Sequence, residues 1–504
     1  MNEPATKEPR VSGKADTSRK ADIGLIGLAV MGQNLVLNMN DRGYSVAVHN
    51  RTVSKMTDFL QGPAADRSIL GAETLEELVE HLSSPRKIMI MVKAGETVDT
   101  YIERLLPLLE KGDIIIDGGN SHYPDTERRT TLLESKGLFY IGTGVSGGEE
   151  GARRGPSIMP GGSSQAWPAV KTLFQKIAAK AADGTPCCDW VGTGGSGHYV
   201  KMVHNAIEYG DMQLISEAYH IMKNLLGMSC DEMARCFDSW NRGRLESYLI
   251  EITAAILRTR DEDGSPLVEK ILDAAGQKGT GKWTVVDAAH LGVPVTLIAE
   301  AVFARSLSAR TDERQRAAAI LGDTAPALPD LNDSEKARIL EDLEAAVYAA
   351  KITSYAQGFM LIREAAREYS WEIDYGAVAG MWRGGCIIRS AFLEDITAAF
   401  AENRELENLL QAPFFSGIMA ETLPSWRRTA LRAIEAGLPI PALSSALSFF
   451  EGYRSERLPA NLLQAQRDYF GAHTYERVDR PRGEVFHTNW TGTGGDVASG
   501  TYNA

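Results

Sequence analysis

The sequence predicts a doubly wound α/β sheet domain, then a large all-α domain, then an irregular C-terminal tail. Three observations carry this. Short β-rich runs alternate with helical patterns through the first part of the chain. A glycine-rich stretch, Gly192-Thr193-Gly194-Gly195-Ser196-Gly197, then interrupts the alternation. Beyond it long helical periodicity dominates, until Gly, Ser and Thr crowd the last residues. Strand–helix alternation of this kind builds a parallel sheet with helices on both faces. The implied divisions are a disordered extension over 1–20, a sheet domain over 21–194, a helical domain over 195–454 and a tail over 455–504.

Taken in order, Asp22–Gly27 (DIGLIG) is a buried strand and Met31–Arg42 a helix. Strands follow at Ser45–His49, Lys87–Val92, Asp113–Asp117 and Leu138–Gly142, with helices at Thr74–Leu82, Thr97–Leu109 and Pro124–Ser135. In the second half, 3.6-residue periodicity marks His198–Met222, Cys230–Asn241, Leu245–Arg258, Ala299–Ala309 and Leu340–Tyr369. A repeat runs through this part. Leu214–Ala218 echoes Leu361–Ala365; Trp240 with Arg242-Gly243 echoes Trp382-Arg383-Gly384; Ser247–Glu251 echoes Ser390–Glu394. Duplication of a helical unit is one reading, and coincidence among Leu- and Ala-rich helices the other. Residues 480–504 are too poor in core formers to fold alone, and Phe486, Trp490 and Tyr502 suggest that they dock, for instance on a second subunit.

A net charge of −13 argues against nucleic acid or an anionic membrane surface as partner. The five cysteines are odd in number and lack a Cys-x-x-Cys pair, which fits reduced thiols in a cytoplasm better than disulfides or zinc. The first 20 residues mix charges without an apolar segment, unlike a signal peptide. No apolar run is long enough to span a bilayer.

Gly27-Leu28-Ala29-Val30-Met31-Gly32 follows a strand and opens a helix, as a dinucleotide (Rossmann-type) fingerprint does, with Ala29 in place of the second glycine. The helix N-terminus would receive the pyrophosphate. Cofactors with a free ribose 2′-hydroxyl call for an acidic residue after the second strand. This chain reads His49-Asn50-Arg51-Thr52. A guanidinium can bind a 2′-phosphate that a carboxylate would repel. NADP is therefore expected, with its phosphate at Asn50, Arg51 and Thr52; the bland alternative is a surface arginine.

Lys201, His204, Asn205, Glu208 and Tyr209 fall at i, i+3, i+4, i+7 and i+8, one helix face. Met202, Val203, Ala206 and Ile207 lie on the others and can be core. This is either a solvated stripe or a preorganised polar site. In the second case a reaction follows. A lysine whose pKa is lowered can take a hydroxyl proton as hydride leaves. A carboxylate β to the new ketone would then depart as carbon dioxide. A glutamate with a raised pKa can protonate the resulting enediol. Lys201 and Glu208 supply the pair, and no metal is required.

Other candidates are weaker individually. Asn120, in Asp117-Gly118-Gly119-Asn120-Ser121, sits where open α/β sheets bind ligands. Ser146, with Gly147 and Gly148, offers a hydroxyl and N–H donors for a sugar carboxylate. Lys278 lies in a glycine-rich loop suited to phosphate. Arg305 occupies a helix, and Arg467 and His473 a polar stretch near the end. Gly144-Val145-Ser146-Gly147-Gly148 also matches a hydrolase nucleophile elbow, but Gly147-Gly148-Glu149-Glu150-Gly151 reads as a poor helix start.

With these motifs in place, the chain from about Asp22 to Ala504 resembles the decarboxylating 6-phosphogluconate dehydrogenase family. The resemblance rests on Gly27–Asn34, Asn50-Arg51-Thr52, Met91-Val92-Lys93-Ala94-Gly95, Ile116–Ser121, Lys201–Asn205, Gln277–Trp283, Trp382–Arg389 and Arg467–His473. It implies conversion of 6-phosphogluconate and NADP to ribulose 5-phosphate, carbon dioxide and NADPH, in the pentose phosphate pathway. It implies Lys201 as general base and then acid, and Glu208 as the acid for the enediol. Asn120, Ser146, Gly147, Gly148, His204 and Asn205 would hold the carboxylate and hydroxyls, and Tyr209, Lys278 and Arg305 the phosphate. The cofactor would meet Gly27 to Gly32, Asn50 to Thr52, Val92, Lys93, Ala94 and Asn120. Arg467 and His473 would come from the partner of an obligate homodimer, whose tail threads through the other subunit. Residues 1–20, Ala206 where glycine is common, Arg153-Arg154, and a divergent stretch over 310–340 depart from the family pattern. Two alternatives stay open: a hydroxyacid dehydrogenase for a non-phosphorylated acid, disfavoured by Lys278, Arg305 and Arg467, and a catalytically silent NADP-binding protein, disfavoured by Lys201 and Glu208.

Overall fold

A computed structural model describes residues 20–277, 279–322 and 331–493. The expected extension over 1–20 thus falls outside the described residues except for Lys20, as do Lys278 and Tyr502. Eight strands form one sheet: β1 (Ile23–Ile26), β2 (Val46–His49), β3 (Ile69–Ala72), β4 (Lys87–Ile90), β5 (Ile114–Asp117), β6 (Phe139–Val145), β7 (Ile158–Gly162) and β8 (Gly192–Thr193). Their order is β3-β2-β1-β4-β5-β6-β7-β8. All neighbours run parallel except β6 and β7, which are antiparallel. The doubly wound expectation holds, with β3, β7 and β8 added to it.

The sheet is apolar on both faces, and its strands show why. Ile23, Leu25, Val46, Val48, Met89, Ile114 and Ile116 join a core with the Val30–Asp41 and Trp167–Ile177 helices. Their neighbours Ile26, Ala47, Ile88, Ile90 and Ile115 point the other way, into a second core with the Leu75–Glu80 and Glu96–Leu105 helices. Side chains alternate along a strand, so a sheet covered twice needs uninterrupted apolar strands. The reversal of winding lies between β1 and β4. The turns after β1, β2, β4 and β5 therefore gather at one edge, where such sheets bind ligands.

The Ser196–Asn224 helix starts directly after β8 and packs on β6, β7 and the long Asp333–Glu368 helix. Sheet and helices accordingly share one compact unit, which ends at Ser445; a second begins at Ala446. The long helix opens earlier than expected because Asn332 and Glu335 form a reciprocal capping box. The repeated segments are paired in space. Ser247 and Ser390 form an antiparallel bridge, flanked by bonds from Tyr248 N–H to Arg389 O and from Ala391 N–H to Glu246 O. Equivalent residues meeting across a local pseudo-twofold favour duplication over coincidence.

The second unit corrects the expectation of an irregular tail. It holds the Ala460–Gly471 helix and a small antiparallel pair, Tyr475–Glu476 with Val485–Phe486. Buried Asp468 is its centre, accepting bonds from Thr474 N–H, Thr488 N–H, His487 Nδ1 and Trp490 Nε1 at 2.9–3.0 Å. A polar hub replaces the hydrophobic core that composition could not supply.

Candidate active site

The cofactor fingerprint is built by sterics. Gly27 has φ +104, and a Cβ there would lie 2.4 Å from Met91 O. A Cβ on Gly32 would lie 2.0 Å from Gly27 O. Only glycines let the turn fold this tightly under the N-terminus of the Val30–Asp41 helix. Asn50 takes a role that the sequence did not suggest. Its Oδ1 accepts Leu28 N–H at 3.0 Å and its Nδ2 donates to Thr52 O at 2.9 Å. It thus splints the first turn to the second.

Beside these turns lies a cleft of about 570 Å3. Gly27, Leu28, Ala29, Asn50, Arg51, Thr52, Val92 and Lys93 line it, whereas Val30, Met31, Gly32, Ala94 and Asn120 do not. Lys55 and Arg104 join Arg51 and Lys93, and sequence reasoning missed both. Lys55, one helical turn after Arg51, was discoverable; Arg104 carried no signal. Four cations and free helix N–H groups on an acidic protein fit a polyphosphate carrying an extra phosphate.

The turn after β5 is held from below. Asp117 is buried and accepts Ser121 Oγ at 2.6 Å, Tyr140 OH at 2.9 Å and Gly119 N–H at 3.0 Å. Buried Arg129 reaches Asp117 at 3.4 Å and grips Asp99 with two nitrogens at 2.8–2.9 Å. Asn120 itself is exposed at the rim.

The polar face of the Ser196–Asn224 helix is not a solvated stripe. Lys201 is 6% exposed and His204 0%, while Met202, Val203, Ala206 and Ile207 are buried as expected. Gly144 leaves room for the lysine stem: a Cβ there would sit 2.3 Å from Lys201 Cβ. Burial pushes the Lys201 ammonium down to about 8, against the opposing pull of Glu208. Burial also raises Glu208, with Lys201 and Arg305 opposing. The two groups therefore move toward each other, the direction in which a base and an acid can both work near neutrality.

His204 is held well below its ordinary range, first by burial and then by Lys201, and is neutral. Its Nδ1 lies 3.1 Å from Asn205 Oδ1 and its Nε2 3.3 Å from Ser146 Oγ. Asn205 Nδ2 donates to Thr280 Oγ1 at 3.5 Å, so Asn205 Oδ1 is the acceptor. His204 then carries its proton on Nδ1 and accepts the Ser146 hydroxyl at Nε2. The segment after Ser146 is a helix, Gly148–Arg154, contrary to the sequence reading. Left-handed Gly147 (φ +98) turns the chain into it, with Glu149 and Glu150 at its positive end and Arg153 and Arg154 at its negative end. The hydrolase elbow fails on different grounds: an amide, not a carboxylate, faces His204 Nδ1.

At the far end of the face, the Arg305 guanidinium stacks 3.6 Å above the Tyr209 ring. Its Nη1 donates to Gly276 O at 3.1 Å. Tyr209 abuts Gly281, where a Cβ would come within 2.7 Å of the ring. The structure therefore brings Ser146, Lys201, His204, Asn205, Glu208, Tyr209 and Arg305 into one neighbourhood, with Thr280 as an unforeseen member. Arg467 and His473 belong to the second unit, where Arg467 bonds Gln464 at 3.1 Å and the His473 ring lies 5.9 Å from Phe470.

A dinucleotide cleft at the sheet edge and a buried lysine–glutamate pair on the helix that follows β8 define a nucleotide-dependent dehydrogenase with a helical substrate domain. The family description "NAD binding domain of 6-phosphogluconate dehydrogenase" matches residues 22–192, and "6-phosphogluconate dehydrogenase, C-terminal domain" matches residues 197–490. The chain belongs to the decarboxylating 6-phosphogluconate dehydrogenase family. It is 60% identical over 485 residues to the Treponema pallidum 6-phosphogluconate dehydrogenase, decarboxylating, covering 96% of this chain and 99% of that one. It is 59% identical over 485 residues to the human protein of the same description, covering 96% and 100%. A solved structure of Plasmodium falciparum 6-phosphogluconate dehydrogenase, determined apo, with its cofactor NADP+ and with its substrate 6-phosphogluconate, superposes with a TM-score of 0.90 at 45% identity, covering 93% of this chain and all of that one. Among the described residues no helix is long and apolar enough to cross a membrane.

Proposed function

We propose that this chain oxidises and decarboxylates 6-phosphogluconate to ribulose 5-phosphate in the cytoplasm, with NADP as acceptor. The observation that carries the chemistry is the opposed displacement of Lys201 and Glu208 on one buried helix face. NADP, when bound, accepts the hydride; Arg51, Lys55, Lys93 and Arg104 are the side chains to hold its phosphates.

The substrate carboxylate and hydroxyls lie against Ser146, Gly147, Gly148, His204, Asn205 and Asn120, and the phosphate against Tyr209, Lys278 and Arg305. Neutral Lys201 Nζ takes the C3 hydroxyl proton as hydride leaves that carbon. The resulting ammonium donates to the new ketone oxygen. This draws in the electron pair released when the C1–C2 bond breaks and carbon dioxide departs. The product is an enediol; Glu208, whose carboxyl burial raises, delivers a proton to its C2, which becomes C1 of ribulose 5-phosphate, while Lys201 takes back the proton on the C3 oxygen and the ketone forms. Neutral His204 orients Ser146 without adding charge beside the carboxylate. Arg467 and His473 complete the phosphate end from the partner of a homodimer. The test is a spectrophotometric assay at 340 nm with NADP and 6-phosphogluconate, paired with carbon dioxide capture. Equal yields of NADPH and carbon dioxide are expected; NADPH without carbon dioxide, or neither, would refute the reading.

A further inference from the structure

Three tyrosines from distant parts of the chain converge on one buried carboxylate. Tyr123 OH donates to Asp287 Oδ1 at 2.6 Å, and Tyr199 OH donates to Oδ2. Tyr369 OH lies 3.4 Å from Oδ1 and 2.8 Å from Tyr123 OH. Asp287 is 7% exposed, and among the described residues no cation is paired with it. Rings close the cage: Tyr123 and Tyr199 meet edge-on at 4.9 Å, and Tyr369 lies 4.9 Å from Trp371.

A buried carboxylate without a counter-ion costs stability unless donors saturate it. A hydrophobic residue would fill the same space at no such cost. The carboxylate does what an apolar side chain cannot. It fixes the directions and separations of three phenols through charge-assisted bonds.

Three of the joined elements carry part of the site. Tyr123 follows Asn120 by three residues, and intervening His122 stacks on Trp283 with ring centroids 4.6 Å apart. Tyr199 precedes Lys201 by two residues on the same helix. Asp287 lies on the Thr280–His290 helix, whose first turn puts Thr280 against Asn205 and Gly281 against Tyr209. A second tie, Thr284 Oγ1 to Met202 O at 3.3 Å, runs between the same two helices. One carboxylate thus links the turn that carries Asn120 to the helix that carries Lys201 and Tyr209 and to the helix that abuts Asn205 and Tyr209.

We propose that Asp287 is a positioning residue that sets the spacing between the turn carrying Asn120, at the carboxylate and hydroxyl subsite, and the phosphate subsite (Tyr209, Arg305), so that a single six-carbon ligand engages both. The proposal rests on the functional reading above. Linking two fragments raises affinity only when the geometry lets both engage at once. Loosening the clamp should therefore weaken the linked ligand and spare its halves.

The experiment is calorimetric titration of the full-length protein with 6-phosphogluconate, with gluconate and with inorganic phosphate, each separately, for wild type, Asp287→Asn and Tyr199→Phe. In Asp287→Asn the dissociation constant for 6-phosphogluconate should rise roughly tenfold or more, while those for gluconate and phosphate stay within about twofold. Tyr199→Phe should shift in the same direction by less. Equal weakening of all three ligands, the signature of a merely structural role, would overturn the proposal, as would unchanged 6-phosphogluconate binding by a folded variant. If Asp287→Asn does not fold, Tyr199→Phe and Tyr123→Phe decide by the same criterion. Wild-type protein that fails to bind 6-phosphogluconate would sink the functional reading itself, and the clamp with it.

Discussion

Lys201 should give the pH–rate profile a limb that an ordinary lysine cannot produce. Burial takes its ammonium from 10.5 to about 8. At pH 7 a group with the ordinary value is neutral in about one molecule in 3,000, and one near 8 in about one in ten, a gain of roughly 300-fold in competent base. kcat/KM for 6-phosphogluconate should thus climb about tenfold per unit below the inflection and level off near pH 8. Replacing Lys201 by Arg keeps the charge and removes the base, because guanidinium does not deprotonate in this range. The expected loss is about 10²- to 10⁴-fold in kcat, together with the limb. The assay is initial-rate NADPH formation from pH 6.5 to 9, with substrate dissociation constants measured alongside to keep binding separate. A flat profile, an inflection near the ordinary lysine value, or Lys201→Arg retaining more than about a tenth of the rate would remove Lys201 as the base.

Four further outcomes can be checked. Glu208→Gln should slow protonation of the enediol more than hydride transfer, so that the hydride isotope effect falls while kcat drops about 10²-fold or more; an unchanged kcat removes Glu208 from the mechanism. Arg51→Glu should exchange 2′-phosphate attraction for repulsion and lower the NADP-to-NAD ratio of kcat/KM by at least about 100-fold, read from parallel assays with both cofactors. Lys201→Met should stabilise the protein while abolishing turnover: the unfolded chain binds this proton up to 10.5 and the folded one only to about 8, a cost of roughly 3 kcal/mol below pH 8 that fades as the pH rises toward 10.5. Thermal melts at pH 7 and pH 10 would show the gain only at the lower pH. Asp468 is the reverse case. Burial would raise its carboxyl, but bonds from Thr488, His487, Trp490 and Thr474 win and hold it down to about 2, so its contribution is full above the ordinary carboxylate range and lost as the pH falls through about 2. Asp468→Ala removes the acceptor of four bonds, each worth about 0.5–1.5 kcal/mol net, and amide exchange at Thr488 should speed up at least tenfold.

The parts of the site that sequence could reach were those set by local rules. Gly27 and Gly32 were legible because a strand-to-helix turn this tight excludes any Cβ. The Lys201–Tyr209 stripe was legible because the helical period alone puts those side chains on one face. Boundaries slipped where a cap decided them, as at Asn332 and Glu335, or where a left-handed glycine reversed a poor propensity, as at Gly147. Thr280, Asp287 and Arg129 escaped because no spacing along the chain hints at partners more than 70 residues away or at an ion pair wholly inside the fold.

Residue order by itself determined the alternation that builds the doubly wound sheet, the turn that can receive a dinucleotide, and which polar side chains share one helix face. Those follow from backbone periodicity and the absence of a Cβ, which act within one element. Tertiary structure alone decided that this face is dry, and dryness is what moves Lys201 down and Glu208 up. The pKa of a side chain depends on everything packed around it. That packing is assembled from β6, the Thr280–His290 helix and the Asp333–Glu368 helix, elements far apart in the chain that meet only when it has folded.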